Sequence, residues 1–239
     1  VLLLMGLPSF AQVLAGATIL VGYWAWFVGT PVQGAEAWTD FAQHFQFNEN
    51  AAAHFDRWLL RQFPRPEPFA GNPGGYTTLN FVPSIVTMVL GLLAGELLQS
   101  ARSGGTKVLL LVLGGAALMG LGVAAGETVC PIIKKIWSPS WVLVSGAYCV
   151  WILAAFYLAF DVLPLRGLAY PLVVLGASSI LLYVMHQLME PWVLQQLKIY
   201  FRPSLFDGEY RHIVSHSAIM GVFWLLCFWL YRQRLFIRI

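Results

Sequence analysis

Six apolar stretches, each long enough to cross a bilayer, divide the chain, and nearly all of its charge lies in the gaps between them. The hydrocarbon core of a bilayer takes about 20 apolar residues per helix. Charged residues make up 10% of the 239 residues, whereas a water-soluble domain usually has about a quarter. The pattern therefore predicts an all-α fold, a polytopic integral membrane helix bundle with about six transmembrane helices.

The predicted spans are separated by loops of very different length. The spans are expected at about residues 11–29, 81–98, 107–125, 141–160, 168–188 and 213–231. The loop at 30–80 is long, and its many aromatic side chains argue against disorder. Residues 35–61 are expected to form one or two helices, and the Pro- and Gly-rich stretch after them no regular helix. We interpret 30–80 as a folded extracytoplasmic cap within a single membrane domain.

The distribution of charge gives an orientation. The short loops and the tail carry the basic residues Arg102, Lys107, Arg166, Arg232, Arg234 and Arg238. The positive-inside rule then places the C-terminus in the cytoplasm and the long loops outside. The net charge is only +3, with no basic run of the kind that binds nucleic acid. Because the chain begins with Val1 in the middle of an apolar run, we expect it to be the C-terminal part of a larger protein.

The fifth predicted span is the richest in polar residues. Ser179, Tyr183, His186 and Glu190 are separated by about one helical turn each, so they share a face. A histidine exchanges protons near neutral pH, and a hydroxyl or carboxylate orients it. The alternative is a histidine that is merely hydrogen-bonded at the membrane interface.

Two further regions carry candidate binding residues. Asn80 and Ser84, at the outer end of the second span, either hydrogen-bond a ligand or cap the helix. Lys134, beside Trp137 in a long loop, either binds an anionic sugar or phosphate or anchors a helix end at the membrane surface.

Two other short-range patterns, a glycine pair and a histidine pair, are interpreted as structural rather than functional. Gly91 and Gly95 form a small-xxx-small pair that predicts close helix packing. His212 and His216 have a spacing that fits two ligands of one metal, but no third ligand is evident nearby, so no metal site is predicted.

Several segments, in this order, resemble the heparan-alpha-glucosaminide N-acetyltransferase family and its bacterial relatives. They are FVPSIVTMVLGLLAGELL, PIIKKIWSPSWVL, YPLVVLGASSILLYVMHQLMEPW and the tail FWLYRQRLFIRI. Pro131, Lys134, Trp137, Tyr183 and His186 match the pattern, whereas Ile133, the 74–77 turn and the 176–178 segment depart from it.

The resemblance implies an acyltransferase that moves acetyl from cytosolic acetyl-CoA to the amino group of an extracytoplasmic amino sugar. It also implies a bacterial inner-membrane location and a catalytic histidine in an early span upstream of this chain. Within the chain, His186 is the candidate catalytic residue, and the candidate substrate-binding residues are Asn80, Ser84, Lys134, Trp137, Ser178 and Tyr183. Arg102 and Lys107 are candidate contacts for CoA phosphates or, alternatively, positive-inside anchors.

Other functional classes stay open on the sequence. A non-enzymatic transporter or lipid-binding bundle is the main alternative, and a non-catalytic half that packs against another chain is a third. The expected partners are membrane lipid, acetyl-CoA and the amino-sugar acceptor, and a homo-oligomer is compatible with the sequence.

Overall fold

The computed structural model describes residues 4, 6–201, 205–206 and 210–235. Arg238, which contributes to the predicted orientation, lies outside these residues. The chain divides into two compact units, Val1–Val162 and Leu163–Ile239. Each unit is described by itself below.

The described residues form eight α-helices and no β-strand, which confirms the predicted all-α class. The first unit contains α1 Ser9–Gly29, α2 Ala51–Leu60, α3 Phe81–Gln99, α4 Gly104–Thr128 and α5 Pro139–Tyr157. Short 3₁₀ helices cover Phe41–Phe45 and Thr78–Asn80, and α5 continues as a π-helical turn over Leu158–Val162. The second unit contains α6 Arg166–Ala177, α7 Ser179–Tyr200 and α8 Arg211–Arg232.

Most of the predicted membrane spans are continuous helices. Five helical segments in the described part of the chain are long and apolar enough to cross a bilayer, and they correspond to α1, α3, α4, α5 and α8. The prediction of about six spans is confirmed if α6 and α7 together count as one.

The fifth span is the exception, because the prediction of one continuous helix over residues 168–188 is wrong. The chain bends by 67° between α6 and α7. Ser178 lies at the bend with φ −133° and ψ 35°, outside the helical region. Gly176, Ser178 and Ser179 are weak helix formers, since glycine is flexible and serine competes for backbone hydrogen bonds. The break therefore falls at a cluster of weak helix formers, whereas Pro171 in α6 and Pro191 in α7 lie inside their helices.

Close helix packing in the first unit is concentrated between α4 and α5. A Cβ atom at Gly115 would collide with the indole of Trp151, and one at Gly122 would lie 2.7 Å from a Val144 methyl. The predicted packing role of Gly91 and Gly95 is wrong for this structure. A Cβ at either position would have no neighbour within 4 Å in the described parts of the chain.

The cap forms two short helices, the 3₁₀ helix Phe41–Phe45 and α2, as predicted for residues 35–61. Asn50 caps α2 by accepting a hydrogen bond from the Ala53 amide at 3.0 Å. The buried carboxylate of Asp56 accepts two contacts from the Thr78 amide, at 3.0 and 3.2 Å. The cap is therefore tied to the start of α3.

The second unit has its own small apolar core. Met185 and Val193 of α7 are buried against Ile219 and Phe223 of α8. Trp224 of α8 donates its indole N–H to the Pro171 carbonyl of α6 at 3.2 Å. These contacts hold α6, α7 and α8 around the residues described next.

Candidate functional site

A cavity of about 460 Å³ lies between α7 and α8 in the second unit. Its walls are mostly apolar, and its polar groups converge from both helices. The lining residues are Ser179, Leu182, Tyr183, His186, Glu190, His216, Ile219, Met220 and Phe223. The size lies within the range of small-molecule sites, about 300–1,000 Å³. The predicted polar face of the fifth span therefore lies on one pocket wall.

His186 and Glu190 form a close side-chain pair at this cavity. The Nδ1 atom of His186 lies 3.0 Å from Oε2 of Glu190. The two residues are four apart on α7, so the helix itself sets their separation. A carboxylate oxygen accepts hydrogen bonds, so Glu190 favours the neutral tautomer of His186 that has its proton on Nδ1 and a lone pair on Nε2. This is the tautomer that a general base requires.

His216 of α8 approaches the same carboxylate from the other side. Its Nε2 atom lies 3.6 Å from Oε1 of Glu190, which is longer than a hydrogen bond. Its Nδ1 atom donates to the His212 carbonyl at 2.6 Å, so the ring is anchored to its own helix. Glu190 is thus placed between two imidazoles, one from each helix.

The exposure of these groups makes them accessible to a ligand. The side chains of His186 and His216 are 56% and 64% exposed, and that of Glu190 is 28% exposed. A carboxylate that orients an imidazole, next to an open cavity, can hold a nucleophile and accept its proton.

Of the two other residues predicted to bind substrate in this region, Tyr183 lines the cavity and Ser178 does not. Tyr183 lines the cavity, and its hydroxyl accepts a hydrogen bond from Gln187 at 3.3 Å. Ser178 is buried at the bend between α6 and α7, and its hydroxyl has no hydrogen-bond partner among the described residues. The neighbouring Ser179, rather than Ser178, lines the cavity.

The predicted substrate-binding residues of the first unit lie where the cap meets α3 and the 129–138 loop. Asn80 donates to the Lys135 carbonyl at 2.7 Å and accepts from the Thr77 hydroxyl at 2.6 Å. The Ser84 hydroxyl donates to the Phe81 carbonyl at 2.7 Å. The side chains of Asn80 and Ser84 are therefore engaged in local structure, and their ligand contacts stay predictions.

Lys134 and Trp137 belong to the loop between α4 and α5. Lys134 is exposed, whereas Trp137 is half-buried, with a positive φ of 51° and its indole N–H 3.4 Å from the Thr87 hydroxyl. The loop is held from inside by Ser140, whose hydroxyl donates to the Cys130 carbonyl at 2.6 Å. Burial raises the pKa of the Cys130 thiol. A buried neutral thiol has a structural role rather than that of a nucleophile.

The two predicted CoA contacts differ in availability. Arg102 is exposed in the loop between α3 and α4. Lys107 is only 9% exposed, and its ammonium donates to the Leu98 carbonyl at 2.8 Å while lying 6.0 Å from the Tyr157 ring centroid. Arg102 is therefore the more accessible of the two for a phosphate, and both contacts stay predictions.

Within the described part of the chain, no group of three histidine, cysteine or acidic residues could hold a metal ion. His212 and His216 do stack with ring centroids 6.3 Å apart. However, His216 uses one ring nitrogen for the His212 carbonyl and directs the other at Glu190.

The sequence predicts no contact between His216 and the fifth span. The four-residue spacing of His212 and His216 can be read from the sequence. Periodicity within α8, however, does not reveal which residue of α7 lies opposite His216. One general rule does indicate such a contact, because an ionisable residue within a span, such as Glu190, usually has a partner on another helix.

Comparison with known proteins gives two similar relatives. The heparan-alpha-glucosaminide N-acetyltransferases of Homo sapiens and Mus musculus are each 27% identical to the chain over 218 residues. The match covers 84% of this chain and 32% of each relative, so the chain spans about a third of the length of these curated proteins. No protein-family model matches the chain. The similarity extends over most of the sequence and confirms the resemblance, and we conclude that the chain is a distant relative of the heparan-alpha-glucosaminide N-acetyltransferases.

Proposed function

We propose that this chain is part of a transmembrane acyltransferase that moves acetyl from cytosolic acetyl-CoA to the amino group of an extracytoplasmic amino sugar. The observation that carries the proposal is the His186–Glu190 pair, 3.0 Å apart beside an open cavity. The names of the two relatives support the reaction class. Since the chain matches about a third of those proteins, the complete activity belongs to the proposal.

The proposed chemistry needs one proton acceptor near the acceptor amine. The amine nitrogen attacks the thioester carbonyl carbon, the C–S bond breaks, and CoA leaves as a thiolate that takes up a proton. Nε2 of His186 accepts the proton that the amine loses, and Glu190 stabilises the imidazolium that forms. Tyr183 and Ser179 line the same cavity and supply hydroxyl groups for a polar acceptor.

The remaining predictions complete this proposal. Exposed Arg102 contacts CoA phosphates on the cytoplasmic side, and exposed Lys134 with Trp137 contacts the acceptor outside. The protein lies in a bacterial inner membrane with its C-terminus in the cytoplasm, in accordance with the positive-inside rule.

The test is acetyl transfer from radiolabelled acetyl-CoA to glucosamine in membranes that contain the product of the native gene for this sequence. We expect His186→Ala to lower the rate by about hundredfold or more, as for loss of a general base. His212→Ala is the matched control, because His212 lies on α8 outside the cavity lining. Equal rates for His186→Ala and the native protein would remove His186 from the mechanism. No transfer to any amino sugar would contradict the reaction itself.

A transporter is the second candidate, and the bend of 67° between α6 and α7 favours it. Discontinuous helices form the substrate sites of many secondary transporters, because their free backbone groups face a cavity. The two candidates are separated by adding labelled glucosamine outside vesicles, with and without acetyl-CoA on the cytoplasmic side, and measuring its uptake and its acetylation. Uptake without acetylation would support the transporter, whereas acetylation of external glucosamine with no net uptake would support the enzyme.

A further inference from the structure

The cavity between α7 and α8 places two hydrogen-bond acceptors side by side. The Nδ1 atom of His216 donates to the His212 carbonyl at 2.6 Å, so the Nε2 atom of the neutral ring carries a lone pair. This Nε2 atom lies 3.6 Å from Oε1 of Glu190, and a carboxylate oxygen is also an acceptor. The arrangement is therefore suited to a donor that contacts both atoms.

The distance between the two acceptors fits a tetrahedral ammonium group. A nitrogen about 2.9 Å from both atoms sees them at an angle of about 77°, because the atoms are 3.6 Å apart. Each N–H bond then points about 16° away from its acceptor, and the angle at the hydrogen stays above the preferred value of about 150°. One ligand nitrogen can therefore hydrogen-bond to Glu190 and His216 together.

His186 supplies a further acceptor to the same cavity. Its Nδ1 atom lies 3.0 Å from Oε2 of Glu190, and the tautomer that this contact favours has a lone pair on Nε2. The side chain is 56% exposed and lines the cavity. The imidazoles and the carboxylate therefore all favour a ligand that donates hydrogen bonds.

The charge of the cavity favours a cation over a neutral donor. Among the described residues that line the cavity, Glu190 is the only acid, and none is lysine or arginine. A hydrogen bond between an ionised donor and an ionised acceptor is roughly twice as strong as one between neutral groups. An ammonium group is therefore a better partner for this carboxylate than a hydroxyl group or a water molecule.

The α8 wall of the cavity is suited to an apolar body attached to that ammonium. Ile219, Met220 and Phe223 lie three, four and seven residues after His216, so they continue the same face of the helix. This face rises by about 10 Å from His216 to Phe223. Leu182 of α7 lines the same cavity. A ligand bound at Glu190 therefore has apolar side chains beside the rest of its length.

The cavity has few groups that could pair with the hydroxyl groups of a free sugar. Beyond the two histidines and Glu190, the polar groups among the described lining residues are the hydroxyls of Ser179 and Tyr183. The Tyr183 hydroxyl already accepts a hydrogen bond from Gln187 at 3.3 Å. Burying a hydroxyl group without a hydrogen bond is costly. An apolar substituent next to the ammonium therefore fits better than a polyhydroxylated one.

We propose that this cavity binds a primary ammonium group attached to an apolar body. The ammonium lies between Oε1 of Glu190 and Nε2 of His216, and the apolar body lies along Ile219 and Phe223. As the identity of the acetyl acceptor, this inference rests on the proposed function, and it indicates an amino sugar joined to an apolar group rather than free glucosamine. Binding of the ammonium itself does not require acetyl-CoA.

The experiment measures binding of butylammonium, by calorimetry and without acetyl-CoA, to the product of the native gene for this sequence in lipid nanodiscs. Empty nanodiscs correct for partitioning into lipid. At about pH 8 an ordinary imidazole is neutral, whereas an alkylamine, like the lysine side chain, is an ammonium.

Three other ligands separate the features of the probe. Butanol has the apolar body without the charge, butyltrimethylammonium has the charge without an N–H donor, and glucosamine has the amino group on a polar body. We expect butylammonium to bind about tenfold or more tightly than each of them, equivalent to about 1.4 kcal/mol or more.

Variants of the two acceptors test the position of the ammonium. Glu190→Gln removes the charge and His216→Leu removes the second acceptor, and each should weaken butylammonium binding about tenfold or more. His216→Gln supplies an acceptor oxygen again and should recover part of the affinity, which a loss of packing alone does not explain. His212→Leu is the matched control, because it keeps the backbone carbonyl that holds His216 and its side chain does not line the cavity.

Each part of the proposal has a result that would overturn it. The ammonium site is contradicted if butylammonium does not bind, if butanol or butyltrimethylammonium binds as tightly, or if His216→Leu binds like His212→Leu. Tighter binding of glucosamine than of butylammonium contradicts the apolar body. Saturable butylammonium binding by a protein that acetylates no amine supports the ammonium site and contradicts only the proposed acetyl transfer.

Discussion

The cap of the first unit and the cavity of the second unit use polar side chains in opposite ways. In the cap, His44 is fully buried, and both of its ring nitrogens face backbone carbonyls at 3.0–3.1 Å, those of Thr30, Glu36 and Thr39. In the cavity, His186 is 56% exposed and is paired with another side chain.

The difference indicates which polar groups are available for chemistry. A buried side chain that satisfies backbone carbonyls is committed to folding, because removing it leaves those carbonyls unpaired. A side chain that is exposed beside a cavity and oriented by one carboxylate can exchange a proton with a ligand. Substitution of a buried side chain such as His44 should therefore lower stability. Substitution of an exposed side chain beside the cavity, such as His186, should lower activity.

The largest effect on activity is expected at Glu190. Glu190→Gln keeps the size of the side chain but removes the charge that orients His186 and stabilises its imidazolium. Acetyl transfer should fall by about hundredfold or more. The free energy of unfolding should change by less than about 0.5 kcal/mol, as for other partly exposed positions. A rate equal to that of the native protein would contradict the assigned role of the pair.

The corresponding effect on stability is expected at His44. His44→Phe preserves ring shape but leaves buried carbonyls without a donor, which should cost about 2–4 kcal/mol. The measurement is thermal unfolding in detergent, together with the rate of proteolysis within residues 30–80. His54→Phe is the control in the same cap, since His54 is exposed. Equal stability of the two variants would remove the distinction between buried and exposed histidines.

A smaller effect separates two glycines of the first unit. At Gly122 an added methyl would lie 2.7 Å from a Val144 methyl, so Gly122→Ala should destabilise by about 1–3 kcal/mol. At Gly91 there is space in the described structure, and Gly91→Ala should stabilise α3 by about 0.5–1 kcal/mol. Thermal unfolding of both variants checks the pair. Destabilisation by Gly91→Ala would instead indicate that another chain packs on that face.

The smallest effect concerns the acid sensitivity of the cap. His54 is exposed, but neighbouring groups partly desolvate its ring. This desolvation, with a further contribution from Arg57, lowers the pKa of His54 from 6.5, and Glu49 opposes this. At His54 the folded state therefore binds a proton less readily than the unfolded state. The stability linked to this residue is fully present above pH 6.5 and is lost as pH falls through the lowered pKa. His54→Gln should reduce this loss. The check is thermal unfolding across that pH range, and an unchanged pH profile would assign the acid sensitivity to other groups.

The sequence predicted much of the fold because membrane spans follow from local composition. The apolar lengths placed α1, α3, α4, α5 and α8 close to their observed ends. The same reasoning failed at Ser178, since average hydropathy does not detect a break within an apolar stretch. It failed also at Gly91 and Gly95, where a packing motif has no neighbour in the described structure.

The candidate site was predictable only in part. The face formed by Ser179, Tyr183, His186 and Glu190 follows from helical periodicity and lines the cavity. The contact between Glu190 and His216 does not follow, because these residues are 26 positions apart on different helices. Similarly, the buried ammonium of Lys107 is a capping group for Leu98 and was not distinguishable from a surface charge.

The sequence by itself determined the membrane class, the approximate bounds of five spans, and the polar face of α7. These properties depend on residues close together in the chain, whose hydropathy and spacing are fixed by covalent connection. The tertiary structure alone decided that α8 supplies a second histidine to Glu190, and that both residues line the same cavity. Such features depend on which helices pack together. Helix pairing is set by side-chain contacts between segments that are far apart in the sequence.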